Sequence, residues 1–238
     1  MTSEQILRRV VKPVVFLAAL VPAGHLAWAA ITDNLGANPL GDITNSTGDW
    51  TLRFLCIGLV VTPLRRLSGW NGAVRLRRML GLFAFFYGVP HFLTYVVLNR
   101  FAGLDVSGPI ASWTTARTLA AATGDDIYKR PFITAGFTAF VLMVPLAATS
   151  TAGMIRRLGG RRWQALHRLV YVSGIAAAVH YWWLVKADVR RPLAYGAVIA
   201  VLLVYRVRWA RVQFNTKSRR PLRSVTVRSG RRPSSSSG

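Results

Sequence analysis

Residues 79–98 read Met79-Leu-Gly-Leu-Phe-Ala-Phe-Phe-Tyr-Gly-Val-Pro-His91-Phe-Leu-Thr-Tyr-Val-Val-Leu98, twenty positions without Asp, Glu, Lys or Arg. As a helix rising ~1.5 Å per residue, this stretch is about 30 Å long, the thickness of a bilayer's hydrocarbon core. Arg75, Arg77 and Arg78 stand just before it, and His91 is the one ionisable group of the Asp/Glu/Lys/Arg/His set inside it. An imidazole left unpaired in lipid is costly, so a histidine at that depth marks a functional site by default.

Working outward, further apolar runs occupy 13–31, 50–64, 132–152, 164–185 and 192–209. With 79–98 they predict six membrane-spanning helices and an all-α, polytopic membrane protein. The second and last runs are short. Arg206 and Arg208 are expected to snorkel to an interface, and Arg53 to lie near a helix end. The first run follows Arg8, Arg9 and Lys12 as a signal peptide would. At 19 residues it is long for such a segment and more spans follow it, so it reads as a retained first helix. The expected organisation is a basic segment 1–12, a helical membrane domain 13–209 and a basic, disordered tail 210–238. A short surface helix is expected within 111–123, in the long loop 99–131 that also holds Gly103, Gly108 and Pro109.

Composition supports this reading. The 238-residue chain is 52% apolar and only 16% charged, with a mean hydropathy of +0.33, whereas soluble domains carry about a quarter charged residues. Its net charge of +23 would suit a nucleic-acid binder, but long uncharged apolar runs between the basic clusters exclude that class. The N-terminal segment, the loops 65–78 and 153–163 and the tail from Arg206 hold 22 basic residues, against 7 in the alternate loops. By the positive-inside rule both termini are expected on the cytoplasmic side. The single cysteine, Cys56, excludes an intramolecular disulfide or an Fe–S cluster held by this chain alone, and reads as a small packing residue.

Four histidines occur, His25, His91, His167 and His180, all within or at the edge of a span. His91 lies about 18 Å from the arginine-rich start of its helix and His180 about 24 Å from the start of its own. Two neutral imidazoles facing each other at one depth fill both axial positions of a haem iron, and apolar walls with second-shell hydrogen bonds tune its potential. Phe83, Phe85, Phe86, Tyr87, Phe92 and Tyr95 lie near His91, and Tyr181, Trp182 and Trp183 follow His180. The competing reading is structural: membrane histidines also serve as interhelical hydrogen bonders, and aromatic clusters as interfacial belts. The run Ser173-Gly-Ile-Ala-Ala-Ala leaves a low helix surface for a flat ring or a neighbouring helix. His167 falls in the first turn of the fifth helix, about 20 Å from His180 and, on a straight helix, about 140° away from it. No Gly-rich dinucleotide fingerprint is present, so electrons would have to come from another protein or a lipid-soluble carrier.

Several stretches carry a resemblance: Thr47-Gly-Asp-Trp-Thr-Leu-Arg, Val61-Thr-Pro-Leu-Arg-Arg, Leu76-Arg-Arg-Met-Leu-Gly-Leu, His91-Phe-Leu-Thr-Tyr and Lys129-Arg-Pro-Phe-Ile-Thr. To these add Leu146-Ala-Ala-Thr-Ser-Thr, Leu158-Gly-Gly-Arg-Arg-Trp-Gln-Ala-Leu-His-Arg-Leu-Val-Tyr and His180-Tyr-Trp-Trp-Leu-Val-Lys-Ala-Asp. In order over about residues 40–210, they resemble the MsrQ-type haem-binding membrane subunit of the periplasmic methionine-sulfoxide reductase system. The resemblance implies a six-helix, ferric-reductase-like transmembrane bundle holding one or two b-type haems and FMN. It implies a periplasmic molybdopterin-containing reductase subunit as partner, and the quinone pool or a cytosolic flavin reductase as electron donor. His91, His167 and His180 match the family's haem-associated histidines, whereas His25 matches none. Ferric-reductase relatives use two histidine pairs, of which three positions are present here; at the inner end Arg77 and Arg78 stand where a fourth ligand would be sought. For the flavin, charge and position select Arg75, Arg77, Arg78, Arg161 and Arg162. The expectation is an electron-transfer subunit of the inner membrane rather than a complete enzyme. Its rivals are a stand-alone transmembrane ferric or quinone reductase and a non-redox scaffold or transporter.

Overall fold

The computed structural model describes residues 3–70, 72–99 and 113–218. Among these residues it contains helices and turns and no strand. A short helix α1 (Ser3–Ile6) and a π-helical turn (Leu7–Val11) lead into α2 (Lys12–Ile31). There follow α3 (Pro39–Ser68), α4 (Ala73–Leu93) with a π-helical extension Thr94–Asn99, α5 (Trp113–Lys129) and α6 (Pro131–Ala148). The short α7 (Ala152–Leu158) and α8 (Gly160–Leu166) precede α9 (Leu169–Leu184) and α10 (Arg190–Ser218).

Local chemistry sets these boundaries. Helix α3 starts where the Asn38 side chain accepts from Gly41 N–H at 3.0 Å, with Pro39 in the first turn, and ends at Gly69, whose φ of 68° favours glycine. It therefore begins eleven residues before the apolar run 50–64, and Arg53 lies in mid-helix rather than near an end, correcting the sequence expectation. Arg53 is held there by Asp49 at 2.8 Å, by the Tyr195 hydroxyl at 3.1 Å and by the Trp50 ring beneath its guanidinium at 4.5 Å. Arg206 likewise turns inward rather than snorkelling. Its guanidinium meets the Tyr171 hydroxyl, the Leu59 carbonyl at 3.1 Å and Thr62 Oγ1 at 2.6 Å, acceptors supplied by α9 and α3.

Helices α3, α4, α6 and α9 form a closed ring: α3 packs on α4, α4 on α6, α6 on α9 and α9 back on α3. Helix α10 covers the α9–α3 side and α2 leans on α3 and α4. One core joins Phe54, Leu55, Leu80, Phe83, Ala84 and Tyr87 with Ala19 of α2 and Met143 of α6. A second joins Leu52, Cys56 and Leu59 to Ile199 and Leu202 of α10, so Cys56 is the buried packing residue expected. Helix α2 is fixed by an insertion. The buried Tyr87 hydroxyl accepts from Ala23 N–H at 3.0 Å and donates to the Ala19 carbonyl at 2.7 Å, occupying one i→i−4 step beside Pro22. The small-residue run of α9 admits neighbouring helices: Ser173 Oγ donates to the Ala139 carbonyl of α6 at 2.9 Å, and Gly174 lies against Leu59 of α3.

The outer surface is apolar, with Phe16, Leu17, Val21, Trp28, Val144, Val172, Val201 and Val204 exposed. Such a surface is stable in lipid, and among the described residues four helical stretches are long and apolar enough to cross a bilayer: Glu4–Ile31, Ala73–Val96, Pro131–Ala148 and Arg190–Trp209. The chain is a membrane protein. Helix α9, at 16 residues, is shorter than a full crossing, and α3 carries Asp42, Asp49, Arg53, Arg65 and Arg66 along its 30 residues. The surface helix expected within 111–123 is α5, extending to Lys129. Helix α10 continues past Trp209 to Ser218. Residues 219–238 of the basic tail, and Gly103, Gly108 and Pro109, lie outside the described residues.

Candidate functional site

Inside the ring, His91 of α4 and His180 of α9 face each other with ring centroids 6.2 Å apart and planes at 79°. Each ring is tied to a different neighbouring helix. His91 Nδ1 is 2.8 Å from the Thr44 carbonyl oxygen of α3, and His180 Nδ1 is 2.6 Å from the Phe132 carbonyl oxygen of α6. A carbonyl only accepts, so both Nδ1 atoms carry the proton and both Nε2 atoms keep a lone pair. A metal–imidazole bond of about 2 Å, plus the distance from Nε2 to the ring centre, sets the centroids of two rings sharing one ion about 6 Å apart. The separation of the pair is compatible with both imidazoles holding a single metal. Among the described residues no three His, Cys, Asp or Glu side chains converge. Two imidazoles alone suit a metal whose remaining positions are filled by a macrocycle rather than by protein. The residues present fit a haem.

Aromatic side chains dry this region. Phe132 stacks on His180 at 6.5 Å, and Phe92 and Phe85 stack on Phe140 across the α4–α6 seam at 4.7 and 5.7 Å. Phe83 and Tyr87 instead pack into the α2–α3 core, and Trp182 and Trp183 are exposed. Beyond His91, the Tyr95 hydroxyl donates to the buried Asp126 carboxylate of α5 at 2.6 Å, docking the surface helix onto the π-helical extension.

His167 lies toward the other end of the bundle. The sequence placed it in the first turn of a continuous fifth helix, but the chain breaks there: α8 ends at Leu166, and His167 and Arg168 form a turn before α9. The 140° offset from His180 thus does not apply. His167 stacks on Trp163 at 3.9 Å, with Nδ1 3.1 Å from the Trp163 carbonyl and Nε2 3.5 Å from Ser150 Oγ. It borders a cavity of 410 Å³ with Arg65, Arg77, Arg78 and Arg168 on its polar rim and Phe54, Gly58, Gly81 and Met143 on its apolar floor. Among the described residues no acidic side chain lines it. Of the five arginines selected from sequence, Arg77 and Arg78 line this cavity. Arg75 instead pairs with Glu4, and Arg161 and Arg162 are exposed on α8 and do not line the cavity. His25 is exposed on α2, apart from both places. Sequence reasoning missed Thr44, Phe132, Gly48 and Gly136. Main-chain acceptors have no residue code, but a glycine inside each of two helices facing the histidines was a readable signal.

Residues 47–178 match the family described as ferric reductase like transmembrane component, and the chain belongs to that class of membrane proteins. Within it, the chain is a member of the MsrQ family. It is 53% identical to the protein-methionine-sulfoxide reductase heme-binding subunit MsrQ of Herminiimonas arsenicoxydans over 84% of this chain and 85% of that one. The MsrQ of Ralstonia nicotianae is 54% identical over 84% and 86% of the two chains, and that of Azospira oryzae 50% over 83% and 78%. No solved structure matches the chain.

Proposed function

We propose that this chain is the haem b electron-transfer subunit of a protein-methionine-sulfoxide reductase system. In this reading electrons pass from the quinone pool or a cytosolic flavin reductase to a periplasmic molybdopterin-containing reductase, for repair of oxidised periplasmic proteins. The observation that carries it is the His91–His180 pair, 6.2 Å between ring centroids with both Nδ1 atoms engaged by carbonyls. The relatives named above support it through what they are described as binding and serving. The frame is a six-helix bundle of α2, α3, α4, α6, α9 and α10 in the bacterial inner membrane. Its arginine-rich end and both termini face the cytoplasm, in accord with the distribution of basic residues.

Haem, when bound, supplies a one-electron carrier within the low-dielectric interior. The chain's own residues do the rest. His91 and His180 would hold the iron through Nε2, while the Thr44 and Phe132 carbonyls accept from Nδ1–H, fixing the tautomer and raising ligand basicity. Phe132 and the stacked phenylalanines of α4 and α6 exclude water. At the opposite end, His167 and the cavity beside it would hold a second planar cofactor, a further b haem or FMN, with Arg77 and Arg78 available to an acidic group.

The test is a dithionite-reduced minus oxidised spectrum of the detergent-purified protein, with pyridine-haemochrome and released-flavin quantification. A low-spin b-type signal supports the reading, and the haem and flavin content per chain assigns the cavity. Colourless protein, after expression with haem precursor, would overturn it.

A further inference from the structure

The two histidines rest on the same construction, used twice. His91 Nδ1 meets the carbonyl of Thr44, and its ring lies where a Cβ on Gly48 would come to 2.8 Å from both Nδ1 and Cε1. His180 Nδ1 meets the carbonyl of Phe132, and a Cβ on Gly136 would come to 2.7 Å from Nδ1 and 2.9 Å from Cε1. In each case the glycine stands four residues after the acceptor on the adjacent helix, α3 or α6.

That spacing has a physical reason. In an α-helix the carbonyl of residue i accepts the N–H of residue i+4, and the Cβ of i+4 leans back toward the N-terminus, over that carbonyl. A Cβ at i+4 therefore crowds a broad imidazole ring laid against that carbonyl, as the 2.7–2.9 Å approaches at Gly48 and Gly136 show. With glycine the carbonyl stays open, and an imidazole can lie flat on the helix and donate to it. Both glycines sit inside helices, where Ala would be the better helix former, so local structure gives no reason for them. By contrast, Gly24 and Gly196, also helical, have open space at the Cβ position.

We propose that Gly48 and Gly136 are positioning residues for the two axial imidazoles. By exposing the Thr44 and Phe132 carbonyls they fix the orientation and Nδ1–H tautomer of His91 and His180, and so the ligand strength and potential of the haem between them. This inference rests on the haem reading above. Hydrogen bonding at Nδ1 makes the imidazole a stronger donor and favours the ferric state. A methyl group at either position must push the ring away from its carbonyl.

The experiment compares full-length Gly48→Ala, Gly136→Ala and Gly196→Ala with the parent protein, each carrying its natural complement of haem. In the first two, part of the low-spin signal is expected to be lost and the midpoint potential to move to more positive values. Gly196→Ala is expected to retain the parent spectrum and potential. A second measurement covers the case in which Gly48→Ala folds poorly. In the His91→Ala background the clash is gone, so Gly48→Ala should leave thermal stability unchanged or raise it. Parent-like spectra and potentials in both glycine variants would overturn the proposal, as would an equal loss of stability from Gly48→Ala with and without His91. A parent protein lacking a bis-imidazole signal would instead sink the haem reading, leaving the stability comparison to judge the glycine–histidine contact by itself.

Discussion

The two ends of the helical ring are built on opposite principles. Around His91 and His180 the polar contacts of the two rings among the described residues are main-chain carbonyls, the walls are aromatic, and two helical glycines stand against the rings. Around His167 the structure is open: a 410 Å³ cavity, one imidazole, four arginines on the rim and a break in the helix that carries the histidine. A site whose ligands are locked before anything binds loses little conformational freedom on binding and holds one geometry. A site of several cations around a hollow relies on charge to hold an acidic group and tolerates variation in what fills it. The contrast predicts a tight, spectroscopically uniform station at one end and a looser, anion-dependent one at the other.

The largest expected effect breaks the locked end. His91→Ala or His180→Ala should abolish the low-spin haem signal of that station, since neither ring has a substitute among the described residues. An unchanged difference spectrum in both variants would remove these residues from the ligand set. Next, His167→Ala should leave that station's spectrum and potential in place while removing a second component from a redox titration. Simultaneous loss of both components would mean that the two ends are not independent. The smallest effect concerns neither cofactor. Tyr87→Phe removes the hydroxyl inserted between Ala23 N–H and the Ala19 carbonyl. This should lower stability by about 1–2 kcal/mol in a thermal-unfolding measurement, with the haem spectrum unchanged. A spectral change there would show that the anchoring of α2 reaches the His91 turn of α4.

Much of the frame was legible because each apolar run reports its own transfer into lipid. The runs 13–31, 79–98 and 192–209 correspond closely to α2, α4 with its extension, and the apolar part of α10. Helix α3 was less legible. Residues 39–49 are polar on balance, so hydropathy placed its start at 50, whereas the Asn38 cap, the burial of Thr47 and the contact of the Thr44 carbonyl with His91 of α4 extend it. The inward turn of Arg206 was hidden for a related reason. An arginine near a helix end reads as snorkelling unless Tyr171, Thr62 and Leu59, from two other helices, are known to surround it. His91 and His180 could be paired by depth alone, because rise per residue is constant in a helix. The break at His167 could not be seen, since nothing in Leu166-His-Arg-Leu169 forbids a helix.

By itself the sequence determined that this is an all-helical membrane chain with two deep histidines at matching depth. Those properties follow from the solvation of single segments and the regular rise of a helix. Only the tertiary structure decided which carbonyls hold those histidines, which arginines line the cavity and which do not, and that Gly48 and Gly136 stand against the two rings. A main-chain acceptor belongs to every residue alike, and it is selected only when two helices pack at one register.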